Sequence, residues 1–245
     1  MTFLGFTMEE VAAALGIALV GGLVRGFTGF GGSMILSPGL ALIVDTPQAV
    51  AISIFLNVLV GIPLAPSAFP HVKWRMIAPM AVASMVMAPV GVVLLVGQDP
   101  DLMRRIIAVI VITFAIVLAM DWRYTGKPHP AANVGVGAMA GFLNGATGVG
   151  GPPVILYVLA GPGSAEEKRA SIIWLYVLFT FITAIGLWYE GVLDGPTALI
   201  GVSAAPLYLG SAWLGMKFFG GSTDKIYHRV ALCALFLIAL AALLT

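Results

Sequence analysis

At 245 residues, with 60% hydrophobic and 9% charged side chains, the chain lies far below the roughly 25% charge of a water-facing domain. Its net charge of +1 gives no bulk electrostatic basis for binding nucleic acid or an acidic partner, and its single cysteine, Cys233, forms no intrachain disulfide. The composition is that of an integral membrane protein.

In chain order, Glu9 and Glu10 stand where a cleavable signal would carry its basic segment, so no such signal is expected. The first apolar run, about 11–24, is shorter than the roughly 20 residues of a comfortable crossing. A glycine-rich break follows, then a second short run, 34–44, ending at Asp45-Thr46-Pro47. Three longer runs cover about 49–64, 76–96 and 106–120. A polar stretch, 121–130, separates the halves, and the order then repeats: a broken pair (131–144 and 152–160), then runs at 172–188, 198–216 and 230–244. The expected organisation is a first repeat over 1–121, a cytoplasmic linker over 122–130 and a second repeat over 131–245.

The two breaks are copies of one motif. Residues 26–36 read GFTGFGGSMIL and residues 145–155 read GATGVGGPPVI. At a constant offset of 119, Gly26, Thr28, Gly29, Gly31 and Gly32 fall on Gly145, Thr147, Gly148, Gly150 and Gly151, and Gly22 falls on Gly141. Small residues that let helices pack closely account for scattered glycines. They do not account for a G-x-T-G-x-G-G motif recurring at the same place in both halves.

A broken hairpin returns the chain to its starting side, so three further crossings make each repeat odd and inverted relative to the other. The expected fold is therefore an all-α polytopic membrane protein of two inverted repeats, each a broken, re-entrant-like hairpin plus three transmembrane helices. Under this parity one side holds Lys73, Arg75, Arg123, Lys127, Lys168, Arg169, Lys217, Lys225 and Arg229, against Arg104 and Arg105 on the other. If each broken pair crossed once instead, the split would be seven against four. The positive-inside rule selects the more lopsided arrangement and puts both termini in the periplasm.

A helix that begins inside the membrane offers unpaired N–H groups and a partial positive charge. Glycine lets an anion approach that backbone closely. The second arms are expected to start near Gly32-Ser33 and at Pro152-Pro153, proline suiting a first helical turn. Thr28, Ser33, Asn144 and Thr147 are candidate side-chain donors. Arg25, whose repeat partner is Asn144, is costly in a bilayer and has the planar fork that suits oxyanions. It either binds the anion or snorkels to the interface.

Asn57, its repeat partner Tyr176, Trp174 and Ser37 either line a cavity or serve packing. The apolar runs contain no interior Asp, Glu, Lys or His, which argues against a carboxylate proton relay and leaves carbonyl-coordinated sodium open. No metal cluster, cofactor motif or nucleotide loop is present, and the glycines lack the Lys-Ser/Thr or strand context of nucleotide fingerprints. An enzyme is the least favoured class. The function classes are an alternating-access anion transporter coupled to H+ or Na+, a passive anion channel, and a structural or assembly factor whose breaks only pack helices.

The duplicated glycine motifs, the length and the two-half layout resemble the TauE/SafE sulfite exporter family over nearly the whole chain. That resemblance implies a bacterial inner-membrane permease exporting sulfite, sulfoacetate or related organosulfur anions. Its signature falls on Gly26, Thr28, Gly29, Gly31 and Gly32, and on Gly145, Thr147, Gly148, Gly150 and Gly151. The first copy has Ser33-Met34 where the second has a double proline, so a perfectly symmetric site is not implied.

Overall fold

In hydrocarbon each backbone N–H and C=O must be satisfied within the protein, so an apolar chain of this kind folds into helices. The computed structural model describes residues 2–3, 6–28, 31–120, 129–218 and 224–244. Apart from a two-residue antiparallel pairing of Thr2–Phe3 with Phe6–Thr7, the regular structure among them is helical. The first five helices are α1 (Met8–Thr28), α2 (Gly32–Leu40), α3 (Thr46–Ala68), α4 (Trp74–Gly97) and α5 (Pro100–Ala119). The next five are α6 (Pro130–Thr147), α7 (Gly151–Ala160), α8 (Ala165–Tyr189), α9 (Gly195–Phe218) and α10 (Asp224–Leu244). A 3-10 turn, Phe69–His71, extends α3. The linker expected at 122–130 lies, up to residue 128, outside the described residues.

Several boundaries correct the expectations. The first arm does not stop at residue 24: α1 continues through Arg25 and Gly26 to Thr28, and α6 continues through Asn144 and Gly145 to Thr147. One glycine in a helix costs only about 1 kcal/mol, whereas an unpaired backbone group in hydrocarbon costs several, so the helix persists until glycines cluster. The long helices also overrun the apolar runs, because polar caps belong to them. Asp99 Oδ1 accepts from the Asp101 and Leu102 N–H groups at 3.0 Å, and Ser164 and Glu167 form a capping box at the start of α8.

Among the described residues, five helices are long and apolar enough to cross a membrane, corresponding to α3, α4, α5, α8 and α9. α2 and α7 have 9 and 10 residues. At 1.5 Å per residue each reaches about half of a roughly 30 Å hydrocarbon layer. Each turns back along the helix before it. Gly21 of α1 lies against Leu36 and Gly39 of α2 lies against Ile17, while Tyr157 of α7 donates to Asn133 Oδ1 of α6 at 2.6 Å.

Two glycine seams join the halves. Gly22 and Gly26 of α1 meet the backbone of Tyr208 and Ala212 of α9; Gly137, Gly141 and Gly145 of α6 meet Met80, Ser84 and Ala88 of α4. In each seam contacts advance by four residues on both helices, so the helices run in the same direction. At one end of the molecule Lys73 pairs with Glu167 at 3.1 Å and His71 with Glu166 at 3.3 Å. Beside them Phe69, Trp74 and Trp174 stack with centroids 5.3–5.6 Å apart. At the far end of α3, Thr46 Oγ1 donates to the Pro100 carbonyl at 2.7 Å.

Candidate functional site

The two breaks converge on Tyr176. This residue lies midway along α8, and its hydroxyl shares a 2.7 Å hydrogen bond with Ser33 Oγ, in the first turn of α2. An added Cβ at Gly151, which opens α7, would stand 3.3 Å from the Tyr176 ring. Asn57, midway along α3, donates to Ser33 Oγ at 3.3 Å and to the Ser53 carbonyl at 2.7 Å. Two residues related by the 119-residue offset, Asn57 and Tyr176, thus meet at one serine.

Arg25 stands beside this group. Its guanidinium carbon lies 4.7 Å from the centroid of the Tyr176 ring, a cation–π contact, and the residue is only 8% exposed. Its Nη1 is buried with no hydrogen-bond partner. A snorkelling arginine would put that nitrogen in the interface, so the geometry favours the inward alternative. Gly32 lies close enough to Arg25 that an added Cβ would stand 3.1 Å from the arginine Cβ, and it also abuts the Tyr208 hydroxyl. Tyr208 Oη in turn reaches Asn57 Oδ1 at 3.4 Å. Arg25 and Tyr176 border a cavity of about 740 Å³ whose more exposed end carries Lys168 and Arg169.

The second break is built differently. Asn144 Nδ2 donates to Thr183 Oγ1 at 2.8 Å, and Thr147 Oγ1 donates to the Leu143 carbonyl while accepting from Val149 N–H at 3.2 Å. Both are absent from the cavity wall. Gly148 takes the left-handed conformation (φ 73°) as the C-cap of α6, and an added Cβ there would come 2.6 Å from Ser37 Oγ of α2. Among the described residues of the first break Gly31 is left-handed (φ 84°), whereas its repeat partner Gly150 has φ −94°. Gly31 and Gly150 therefore differ in backbone conformation despite their equivalent positions. Gly150 is a packing position, with the Ala140 carbonyl 2.5 Å and Asn144 Cβ 2.7 Å from an added Cβ.

Of the remaining candidates, Gly145 lies in the α4–α6 seam, and Gly26 lies in the α1–α9 seam while bordering the cavity. Gly29 and the Thr28 side chain fall outside the described residues. Trp174 does not line the cavity: its Nε1 donates to the Ala65 carbonyl at 2.8 Å within the aromatic cluster. Ser37 is fully buried, and its hydroxyl has no hydrogen-bond partner. Sequence reasoning missed Tyr208, Thr180 and Thr183. Each is an ordinary polar residue within an apolar run, and only its position on the inner face of α9 or α8 distinguishes it.

Three kinds of hydrogen-bond donor are concentrated around the first break, and of their side chains Arg25 and Tyr176 border the cavity. The N–H groups at the start of α2 lack partners within the helix, apart from Met34 N–H, which bonds the Gly31 carbonyl at 3.0 Å. Arg25 adds a full positive charge with an unused donor. Ser33, Tyr176 and Tyr208 add hydroxyls. At α7, Pro152 and Pro153 remove two of the corresponding N–H groups.

The family model described as sulfite exporter TauE/SafE matches residues 14–242. A protein of Cupriavidus necator named "Probable sulfite/organosulfonate exporter TauE" is 24% identical over 219 residues, spanning 83% of this chain and 82% of its own length. No solved structure matches. With the family match extending over nearly its whole length, the chain belongs to the TauE/SafE sulfite exporter family.

Proposed function

We propose that the protein is a secondary transporter that exports small sulfur oxyanions, such as sulfite or organosulfonates, across the bacterial inner membrane. Its relative's name points to the same cargo. The single observation that carries the reading is Arg25: nine-tenths buried, stacked on Tyr176 and bordering the cavity, with Nη1 enclosed and without a hydrogen-bond partner. An uncompensated guanidinium in such surroundings is costly. An anion in the cavity beside Arg25 neutralises that charge and lowers the cost.

The chain is read as two inverted repeats, 1–121 and 131–245, with both termini periplasmic. Supporting this are the two seams at equivalent glycines and the ion pairs joining the 71–73 and 166–167 segments, which share one end. With the basic loops inside, the cavity mouth at Lys168 and Arg169 faces the cytoplasm, and rocking of the halves opens the other side. H+ or Na+ is the coupling ion in this scheme. Sulfite transport into proteoliposomes, with and without an imposed gradient of either ion, tests it. Accumulation against the anion gradient is expected. Purely downhill flux would make the protein a channel, and no flux with no anion-dependent stabilisation would leave the breaks as packing devices.

A further inference from the structure

The cavity is much larger than the ion it is proposed to receive, and its walls have the wrong chemistry for that ion alone. Sulfite has four heavy atoms and displaces the volume of only a few waters, at about 30 Å³ each. The cavity holds about 740 Å³. It runs along α8 from Ala165 to Val177, a length of about 18 Å at 1.5 Å per residue. Charge is confined to its ends, with Arg25 at the buried end and Lys168 and Arg169 at the other. Between them the wall is apolar, formed by residues such as Val60, Leu64, Ile155, Ile173, Val177 and Leu209. Among the described residues no carboxylate borders it, and the nearby Glu166 and Glu167 are paired with His71 and Lys73. A bare hydrated anion gains nothing from such a wall. A mostly apolar cavity with a few convergent polar groups at one end is the profile of a site for an organic molecule.

We infer that the preferred substrate is an amphiphilic organic monoanion, with its anionic head at Arg25 and an apolar chain of several carbons along the α3–α8–α9 wall. This rests on the transport reading above and narrows it, because inorganic sulfite then fills only the inner end of the site. The head supplies charge recognition, and the chain supplies affinity in proportion to the apolar surface it buries. A carboxylate head of matching chain length meets the same donors, so head chemistry discriminates less than chain length.

The test is a binding series on the full-length protein in lipid nanodiscs, using sulfite and the straight-chain alkanesulfonates from methane- to hexanesulfonate. Hexylammonium serves as the charge control. The dissociation constant is expected to fall about three- to fourfold per added methylene while the chain remains on the wall. Ile173→Ser and Leu209→Ser should flatten that slope, Arg25→Gln should weaken every member of the series, and hexylammonium should not compete. Arg25-dependent binding that ignores chain length would overturn the amphiphile inference and leave the anion site standing. A slope that survives both wall substitutions would also overturn it, by putting the chain elsewhere. Binding that is absent or indifferent to Arg25 would remove the transport reading itself, and this inference with it.

Discussion

The two helix breaks share a motif and a backbone plan but differ in chemistry. In both, a short helix of nine or ten residues turns back on a long one, and a glycine seam fastens that long helix to the other half. At the first break α2 begins with Gly32-Ser33, beside a buried arginine with an unused donor. At the second, α7 begins with Gly151-Pro152-Pro153, and the residue equivalent to Arg25 is an asparagine bonded to Thr183. The shared features are those the backbone needs to stop one helix and start the next. The features that differ are those that set local charge and donor count. The two breaks thus share a backbone plan, while among the described residues only the first carries a buried arginine with an unused donor.

The sharpest way to break this comparison is at the arginine. Arg25→Gln should weaken sulfite binding by about 1.5–3 kcal/mol, the range for hydrogen bonds to charged groups, or roughly tenfold to more than a hundredfold. Asn144→Leu should leave the constant unchanged. Isothermal titration of both variants checks the pair, and equal losses would make the site symmetric after all. Arg25→Lys keeps the charge without the planar fork and should fall between wild type and Gln.

The seams test the shared side of the comparison. Gly26→Ala and Gly145→Ala each drive a methyl into the backbone of the facing helix, at Ala212 and Ala88 respectively. Each should cost about 1–3 kcal/mol of stability, read as a lowered melting temperature, with similar size in both halves. A cost at one position only would mean that the two seams are not equivalent.

Much of this was legible in the sequence. The break positions were, because few sequences other than clustered glycines interrupt a membrane helix. Arg25 was legible as a charge within an apolar run, and the Asn57–Tyr176 relation through the 119-residue offset. Their meeting at Ser33 was not, because it depends on how α2 lies between α3 and α8. Helix lengths were underestimated where polar caps such as Asp99 and Ser164 extend a helix beyond its apolar run. The pairing of α1 with α9 and of α4 with α6 had no local signal. An apolar face with glycines every four residues declares that it packs closely, without naming its partner.

Smaller effects sharpen the polar cluster and the helix ends. Tyr176→Phe removes the hydroxyl from Ser33 but keeps the ring under Arg25. It should cost about 0.5–1.5 kcal/mol of stability, measured by thermal unfolding, and affect anion affinity less than Arg25→Gln does. Smallest is a pH effect at the start of α9. Hydrogen bonds from Thr197 hold the Asp194 carboxyl below its ordinary value of 3.8. A lowered pKa means that the cap is fully formed above that value and is lost only as pH falls through the still lower value of the folded protein. Melting temperatures of wild type and Asp194→Ala should therefore differ by a constant amount from pH 7 to pH 5 and converge only in stronger acid.

The stacking of Arg25 on Tyr176 also has a consequence for biogenesis. The arginine belongs to α1, and its aromatic partner is synthesised 151 residues later. At about 5–20 residues per second that is an interval of about 8–30 s, during which α1 carries an unaccompanied charge. The facing helix of its seam, α9, emerges later still. α1 should therefore stay associated with the insertion machinery, or remain only partly inserted, until the second half arrives. Residues 1–121 expressed alone should be degraded, and co-expression of residues 122–245 as a separate chain should rescue them. A stable, membrane-extracted first half on its own would show that Arg25 finds another partner during assembly.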